Sequence, residues 1–161
     1  MIRNALHIDV ESLVRLEHAC FKTDLLDRDD FRRELRNQTT VLLVHEGLGG
    51  VDAYALMQVR HGRAHLVSIA VDPAHRRSGI GKTLLQAAEA AAAERGAGHM
   101  RLEIREDNPG AYALYRAMGY RHFGTWLEYY QDKSDALRMQ KPLATRHADE
   151  DTDDAVEIGI G

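Results

Sequence analysis

The run His75-Arg76-Arg77-Ser78-Gly79-Ile80-Gly81-Lys82 has the chemistry of an anion cradle. Gly79 and Gly81, at alternate positions, let the backbone turn sharply and approach a ligand closely. The run lies between a strand-like apolar segment, Leu66 to Val71, and a helix-like segment, Thr83 to Glu94. The helix would aim free N–H groups and its positive dipole end into the turn. Arg76, Arg77 and Lys82 add positive charge, so the phosphates of a small anionic ligand suit the site. Two familiar phosphate-binding patterns fail here. A nucleoside-triphosphate loop needs a glycine where Arg76 stands. A dinucleotide fold needs a third glycine where Leu84 stands.

A second candidate is Leu102-Glu103-Ile104-Arg105. On a strand, Leu102 and Ile104 face one side while Glu103 and Arg105 face the other. A glutamate in a half-closed cleft is suited to take a proton, directly or through water. The alternative is a surface carboxylate paired with an arginine. The single cysteine, Cys20, sits in a helical stretch with no base nearby in sequence and reads as core. The nine histidines are scattered, with no His-Glu-x-x-His and no paired cysteines, so no metal site is expected. His61 and His65 face one side of a hairpin, but two ligands make a weak site.

The elements that must position these groups follow from pattern. Ile2 to Ala5 is a weak strand. Asp9 caps a helix to Cys20, with Leu13, Leu16 and Cys20 at helical spacing. Thr23 to Leu26 is a linker, and Asp27 opens a second short helix. Val41 to Glu46 and Val51 to Val59 are strands joined by a glycine-rich turn at Gly47 to Gly50. A second turn leads to a strand from Ala64 to Val71, stopped by Asp72-Pro73. After the Thr83 to Glu94 helix, His99 to Arg105 alternates as a strand. Asn108-Pro109 opens another helix, closed by Gly119. Tyr120 to Tyr130 and Ala136 to Leu143 are the last strands. The order β-α-α-β-β-β-α-β-α-β-β requires a parallel crossover after antiparallel hairpins. That is a single α/β domain: a mixed, twisted sheet of about seven strands with helices on both faces.

Composition bounds the partners. Residues 147–161 hold six acids and no Lys or Arg, whereas residues 1–146 carry 21 Lys and Arg against 19 Asp and Glu. The chain divides into a folded domain over 1–146 and an acidic, disordered tail over 147–161. A near-neutral body argues against nucleic acid. No apolar run approaches about 18 residues, so no membrane span is expected. One thiol and no secretory signal at the N-terminus fit a reducing, cytoplasmic setting.

Arg76-x-x-Gly79-x-Gly81 resembles the acetyl-coenzyme A signature of the GCN5-related N-acetyltransferase (GNAT) superfamily. Asn108-x-x-Ala111-x-x-Leu114-Tyr115-x-x-x-Gly119-Tyr120 looks like its second signature, after the right strand, and the resemblance covers about residues 1–143. It implies acetyl-coenzyme A as co-substrate, no metal, and acetyl transfer to an amine by direct attack. The backbone around Arg77, Gly79, Gly81 and Lys82 would hold the pyrophosphate, with Arg76 nearby. Ile69, Val71 and Asn108 would bond the pantetheine arm, although Asn108 also suits a simple N-cap. Tyr115 would reach the cofactor sulfur as general acid.

Leu102 to Arg105, the Asn108 to Tyr120 segment and Tyr129-Tyr130 further resemble the RimI-like enzymes, which acetylate the N-terminal alanine of a ribosomal protein. In them the groups matching Glu103 and Tyr115 are base and acid. Gln131 stands where members often have proline, and His18 to Leu26 lacks the usual aromatic residues. Phe21 and Asp24 would form one wall of the acceptor site and Trp126, Tyr129 and Tyr130 the other, with core packing the rival role for Trp126. The acceptor is left open between a peptide or protein N-terminus and a small amine such as an antibiotic, polyamine or amino acid. A non-catalytic acetyl-coenzyme A binder is a third reading. Dimers are common among similar proteins, which leaves a homodimer open.

Overall fold

Turns at Gly47 to Gly50 and at Arg60 to Arg63 fold the first half of the chain into antiparallel hairpins. A computed structural model describes residues 1–144; the acidic stretch 147–161 lies outside them. The strands are β1 (Ile2–Asn4), β2 (Thr40–Gly47), β3 (Gly50–Arg60), β4 (Arg63–Val71), β5 (His99–Arg105), β6 (Arg121–Trp126) and β7 (Ala136–Pro142). The helices are α1 (Val10–Cys20), α2 (Arg28–Arg36), α3 (Ile80–Glu94) and α4 (Pro109–Ala117). One mixed seven-stranded sheet runs β1-β2-β3-β4-β5-β7-β6, antiparallel except for β4 and β5.

Helices cover both faces. Leu84, Leu85, Ala88 and Ala92 of α3 and Tyr115 of α4 pack with Ala55, Met57, Leu66, Leu102 and Ile104 on one face. Leu13 and Leu16 of α1 and Phe31 of α2 pack with Leu42, Val44, Tyr54 and Leu56 on the other. β3 is buried on both sides, so Val51 to Met57 reads as a continuous buried run rather than an alternation.

β4 carries the feature on which the site depends. Met57 pairs with Leu66 but Leu56 pairs with Ser68, so Val67 is an extra residue bulged from the ladder. A bulge bends its strand and shifts the side-chain alternation. Before it, Ala64 and Leu66 face the α3 core; after it, Ile69 and Val71 do. Parallel pairing with β5 is confined to Ala64–Met100 and His65–Arg101. From Leu66 onward the two strands have no register pairs.

Three local expectations are corrected. α3 begins at Ile80 rather than Thr83, because Gly79 already serves as N-cap. Asp9 does not cap α1: its carboxylate accepts from Leu6 N–H at 2.8 Å and from the Arg3 guanidinium at 2.8 and 3.0 Å. The strand expected over Tyr120 to Tyr130 ends at Trp126. Glu128 then takes a left-handed φ of 50° and its N–H bonds the Asp135 carboxylate at 2.8 Å, which carries the chain out of the sheet. Asp27 and Asp30 form the reciprocal cap of α2 that their spacing predicts, at 2.8 and 2.9 Å. Among the described residues no helix is long and apolar enough to cross a membrane.

The second core contains a polar cluster. Buried Glu17 accepts from Leu26 N–H at 2.7 Å and from the Tyr54 hydroxyl, which also meets Ser68 Oγ at 2.8 Å. Burial pushes the Glu17 carboxyl above its ordinary 4.5, against the lowering effect of the Leu26 and Tyr54 hydrogen bonds. A folded-state pKa above the unfolded one means that this group's stabilisation is complete below the unfolded value and is lost as pH rises through the folded value. Glu17→Ala, which strands the Leu26 N–H and the Tyr54 hydroxyl, should cost about 2–4 kcal/mol. Glu17→Gln can serve both partners and should cost less. Its stability relative to the parent should improve as pH rises from 4.5 through the raised value, measured by urea unfolding at several pH values.

Candidate active site

β4 bends away from β5 beyond the bulge, and the N-terminus of α3 stands at the end of β4. Gly79 has φ +83° and offers no side-chain cap. The first helical bond is Thr83 N–H to the Gly79 carbonyl at 3.0 Å, so the N–H groups of Ile80, Gly81 and Lys82 precede the helical ladder. A Cβ at Gly79 would meet nothing within 4 Å, whereas one at Gly81 would lie 3.4 Å from Val71 Cγ2. Gly79 thus keeps the approach to the N–H groups open, and Gly81 lets α3 close onto β4. This cradle fits a phosphate group. Arg77, at a left-handed φ of 66°, and Lys82 are exposed beside it. Arg76 is tied into the turn by its Nε, 3.2 Å from the Val71 carbonyl.

Ile69 and Val71 lie on the stretch of β4 left unpaired by β5, as a ligand arm along that edge requires. The Val71 carbonyl is already engaged, accepting from Arg76 and from Cys20 Sγ at 3.3 Å. Cys20 packs against the second core, as expected of a structural thiol. Asn108 caps α4, its Oδ1 accepting from Ala111 N–H at 3.1 Å. Its side-chain amide donors make no hydrogen bond among the described residues.

Tyr115 is 8% exposed, its ring edge-on to Tyr120 at 5.5 Å. Tyr120 is held by its hydroxyl on Glu89 at 2.7 Å, and Glu89 also takes Lys141 Nζ at 3.0 Å. The Tyr115 hydroxyl makes no hydrogen bond to the described residues. Burial pushes its phenol up to about 12, so it is protonated at neutral pH.

Glu103 projects from the opposite face. Leu102 and Ile104 enter the α3–α4 core with Tyr115, which puts Glu103 on the α1–α2 side. Its carboxylate is 10% exposed and lies 2.6 Å from His65 Nε2, a ring that is 42% exposed. The arginine partner that sequence offers as the alternative is therefore replaced by a histidine from β4. The pair forms where β4 and β5 last run together, since His65 pairs with Arg101, two residues before Glu103. Glu103 and Tyr115 flank the sheet from its two faces.

Arg105 fixes the rim. Its guanidinium reaches Thr23 Oγ1 at 3.2 Å, Ser134 Oγ at 3.0 Å and Asp132, and stacks over Tyr130 at 4.8 Å. It joins the α1–α2 and β6–β7 connections. Asp24 and Gln131 lock the same two connections: Gln131 N–H donates to Asp24 Oδ2 at 3.2 Å and Asp24 N–H to Gln131 Oε1 at 3.1 Å. Asp24 thus clasps the two connections together. Phe21 is half-buried against the second core. Trp126 is 38% exposed and not core; it lies 4.9 Å from Tyr129, which meets Tyr130 edge-on at 5.1 Å. Burial, with the Glu103 carboxylate next in effect, pushes the Tyr130 phenol up to about 12.

Beside Glu103, over the end of the sheet where β4 and β5 still pair, is an open cavity of about 420 Å³. Arg60, Arg63, Arg101 and Arg138 line it with His61, His65 and Trp126. These residues come from the β3–β4 hairpin and from β5, β6 and β7, so no local pattern links them. Strand order brings them together: β4 pairs His65 with Arg101 on β5, and the β5–β7 register sets Arg138 opposite Glu103.

The acetyltransferase (GNAT) family matches residues 9–120. An N-alpha-acetyltransferase of Sulfurisphaera tokodaii is 31% identical over 155 residues, covering 88% of this chain and 92% of that protein. The [ribosomal protein bS18]-alanine N-acetyltransferase of Escherichia coli is 34% identical over 99 residues, 60% of this chain and 67% of that protein. A crystal structure of the ribosomal-protein-S18-alanine N-acetyltransferase from Escherichia coli superposes with a TM-score of 0.82 at 26% identity, over 90% of this chain and 94% of that one. With the glycine turn and the open strand pair in place, the chain belongs to the acetyltransferase (GNAT) family, and it is an N-acetyltransferase that moves an acetyl group onto an amine.

Proposed function

We propose that the chain transfers acetyl from acetyl-coenzyme A to the α-amine of a peptide or protein N-terminus, by direct attack in a ternary complex. The observation that carries this reading is the placement of Tyr115 and Glu103 on opposite faces of the sheet, with Glu103 on β5 just past its last parallel pair with β4. Donor and acceptor can then enter from the two sides and meet without a covalent enzyme intermediate.

Acetyl-coenzyme A supplies an acyl group activated as a thioester. The N–H groups of Ile80, Gly81 and Lys82 hold its phosphates, with the charges of Arg77 and Lys82 beside them. Ile69 and the side-chain amide of Asn108 face its arm. Glu103 takes the proton from the incoming ammonium, the amine nitrogen attacks as the carbon–sulfur bond breaks, and the second proton that the nitrogen then sheds goes to the departing thiolate, giving the amide and the coenzyme A thiol. His65 Nε2, hydrogen-bonded to Glu103, orients the carboxylate. Tyr115 offers its hydroxyl proton to the departing sulfur. A phenol near 12 lies about 3–4 pH units above an ordinary thiol, so complete transfer would be uphill by about 5 kcal/mol. Tyr115 therefore stabilises the developing thiolate mainly through a hydrogen bond.

An α-amine suits this base better than an alkyl amine. Its pKa of about 8 leaves roughly a tenth of it neutral at pH 7, whereas a lysine near 10.4 is almost wholly protonated. The arginines near Glu103 also repel polycationic small acceptors. The names of the two relatives, an N-alpha-acetyltransferase and an alanine N-acetyltransferase, support the same choice.

Thiol release with a peptide that has an N-terminal alanine and an internal lysine should proceed with the acetyl group found on the α-amine by mass spectrometry. Acetyl on the lysine alone would contradict the acceptor assigned here. Glu103→Gln should lower kcat by about 10²-fold or more and change the shape of the pH–rate profile; a profile of unchanged shape counts against a base. Tyr115→Phe should lower kcat by about 10²-fold with little change in the affinity for coenzyme A measured by calorimetry. Full activity in that variant would remove Tyr115 from the chemistry.

A further inference from the structure

The cavity beside Glu103 concentrates positive charge that acetyl transfer itself does not use. Arg60, Arg63, Arg101 and Arg138 line it, and none of the four forms an ion pair among the described residues. Its one lining carboxylate, Glu103, is engaged with His65. Arg138 stacks on Trp126 at 3.9 Å and on Phe123 at 4.6 Å, and its buried Nε has no hydrogen-bond partner among the described residues. Arg101 spends its Nε on Gln140 at 3.2 Å and stacks on Phe123 at 4.9 Å. Planar guanidiniums fixed on aromatic rings with unspent donors are built to take a carboxylate in a forked pair.

We infer that this cavity reads an acidic side chain at the second or third residue of the acceptor, an inference that rests on the N-terminal reading above. The spacing sets the position. Arg101 is two residues along β5 from Glu103, roughly 7 Å at strand rise, and Arg138 stands directly across from Glu103 in the register. An extended acceptor whose amine is at Glu103 brings its second and third side chains over these guanidiniums. Arg60 and Arg63, at the β3–β4 turn, close the far side. The same charges repel a basic residue there, so the site selects against as well as for.

The test is acetylation by the full-length chain of matched peptides with N-terminal alanine, bearing Asp, Asn or Lys at the second or third position. Free aspartate and glutamate serve as additional acceptors. The expected order of kcat/KM is Asp, then Asn, then Lys, with Asp over Asn by about tenfold, the effect of one charge-assisted hydrogen bond. Raising salt should shrink that ratio. Arg63→Gln, at an exposed turn position, and Arg101→Gln should each bring it towards one, with a thermal melt confirming that the variants fold. Equal rates for Asp and Asn peptides, or a ratio indifferent to both substitutions, would overturn the inference while leaving N-terminal acetylation intact. Free aspartate acetylated as well as the best peptide would overturn it by removing the peptide. Turnover of other amines with no turnover of any peptide would refute the N-terminal reading itself.

Discussion

Parallel pairing between β4 and β5 lasts for two residue pairs, and the bulge at Val67 is the physical reason that it stops. One extra residue bends β4 and flips which of its side chains face α3. Beyond that point each strand keeps its antiparallel neighbour, β3 for β4 and β7 for β5, so the sheet stays continuous at one end while it opens at the other. A chain can leave strand edges unpaired inside a domain only if something else uses their hydrogen-bonding groups. Here the N-terminus of α3 follows the open end of β4, the Glu103–His65 pair stands where the pairing stops, and Tyr115 packs in the core that Leu102 and Ile104 enter from β5.

The groups around the opening are held by interactions that reach across the fold. Arg105 and the Asp24–Gln131 clasp bind the α1–α2 and β6–β7 connections to each other, so the two connections form one rim. On the other face, Tyr120, Glu89 and Lys141 brace the ring of Tyr115. The buried Glu17–Tyr54–Ser68 cluster ties α1 to β3 and to β4 just past the bulge. Tyr115 emerges from its surroundings as a hydrogen-bond donor that keeps its proton, a consequence of burial with no compensating charge.

Much of the fold was legible in the sequence because its signals are local. The Gly47–Gly50 turn, the Asp27–Asp30 cap, the Asn108–Pro109 helix start and the alternation of Leu102 to Arg105 each depend on residues a few positions apart. The glycine turn ahead of α3 was legible for the same reason. The bulge was not, since Ala64 to Val71 is apolar on both parities and nothing in it marks Val67 as extra. The departure of Leu127 to Tyr130 from β6 was also hidden, because aromatic residues that favour strands instead stack on one another and on Arg105. His65 beside Glu103 and the four arginines around them depend on strand order and register, which no local pattern contains. The glutamate could be picked from its place on β5, but its histidine partner required the sheet.

The gap between β4 and β5 is the proposed place where donor and acceptor meet. A crystal structure with a coenzyme A–peptide conjugate that joins the two substrates tests it most directly. The pyrophosphate is predicted on the N–H groups of Ile80 to Lys82, the sulfur within hydrogen-bonding distance of the Tyr115 hydroxyl, and the peptide nitrogen on the Glu103 side. A conjugate bound with its sulfur outside the gap, or with its peptide on the Tyr115 face, would contradict it.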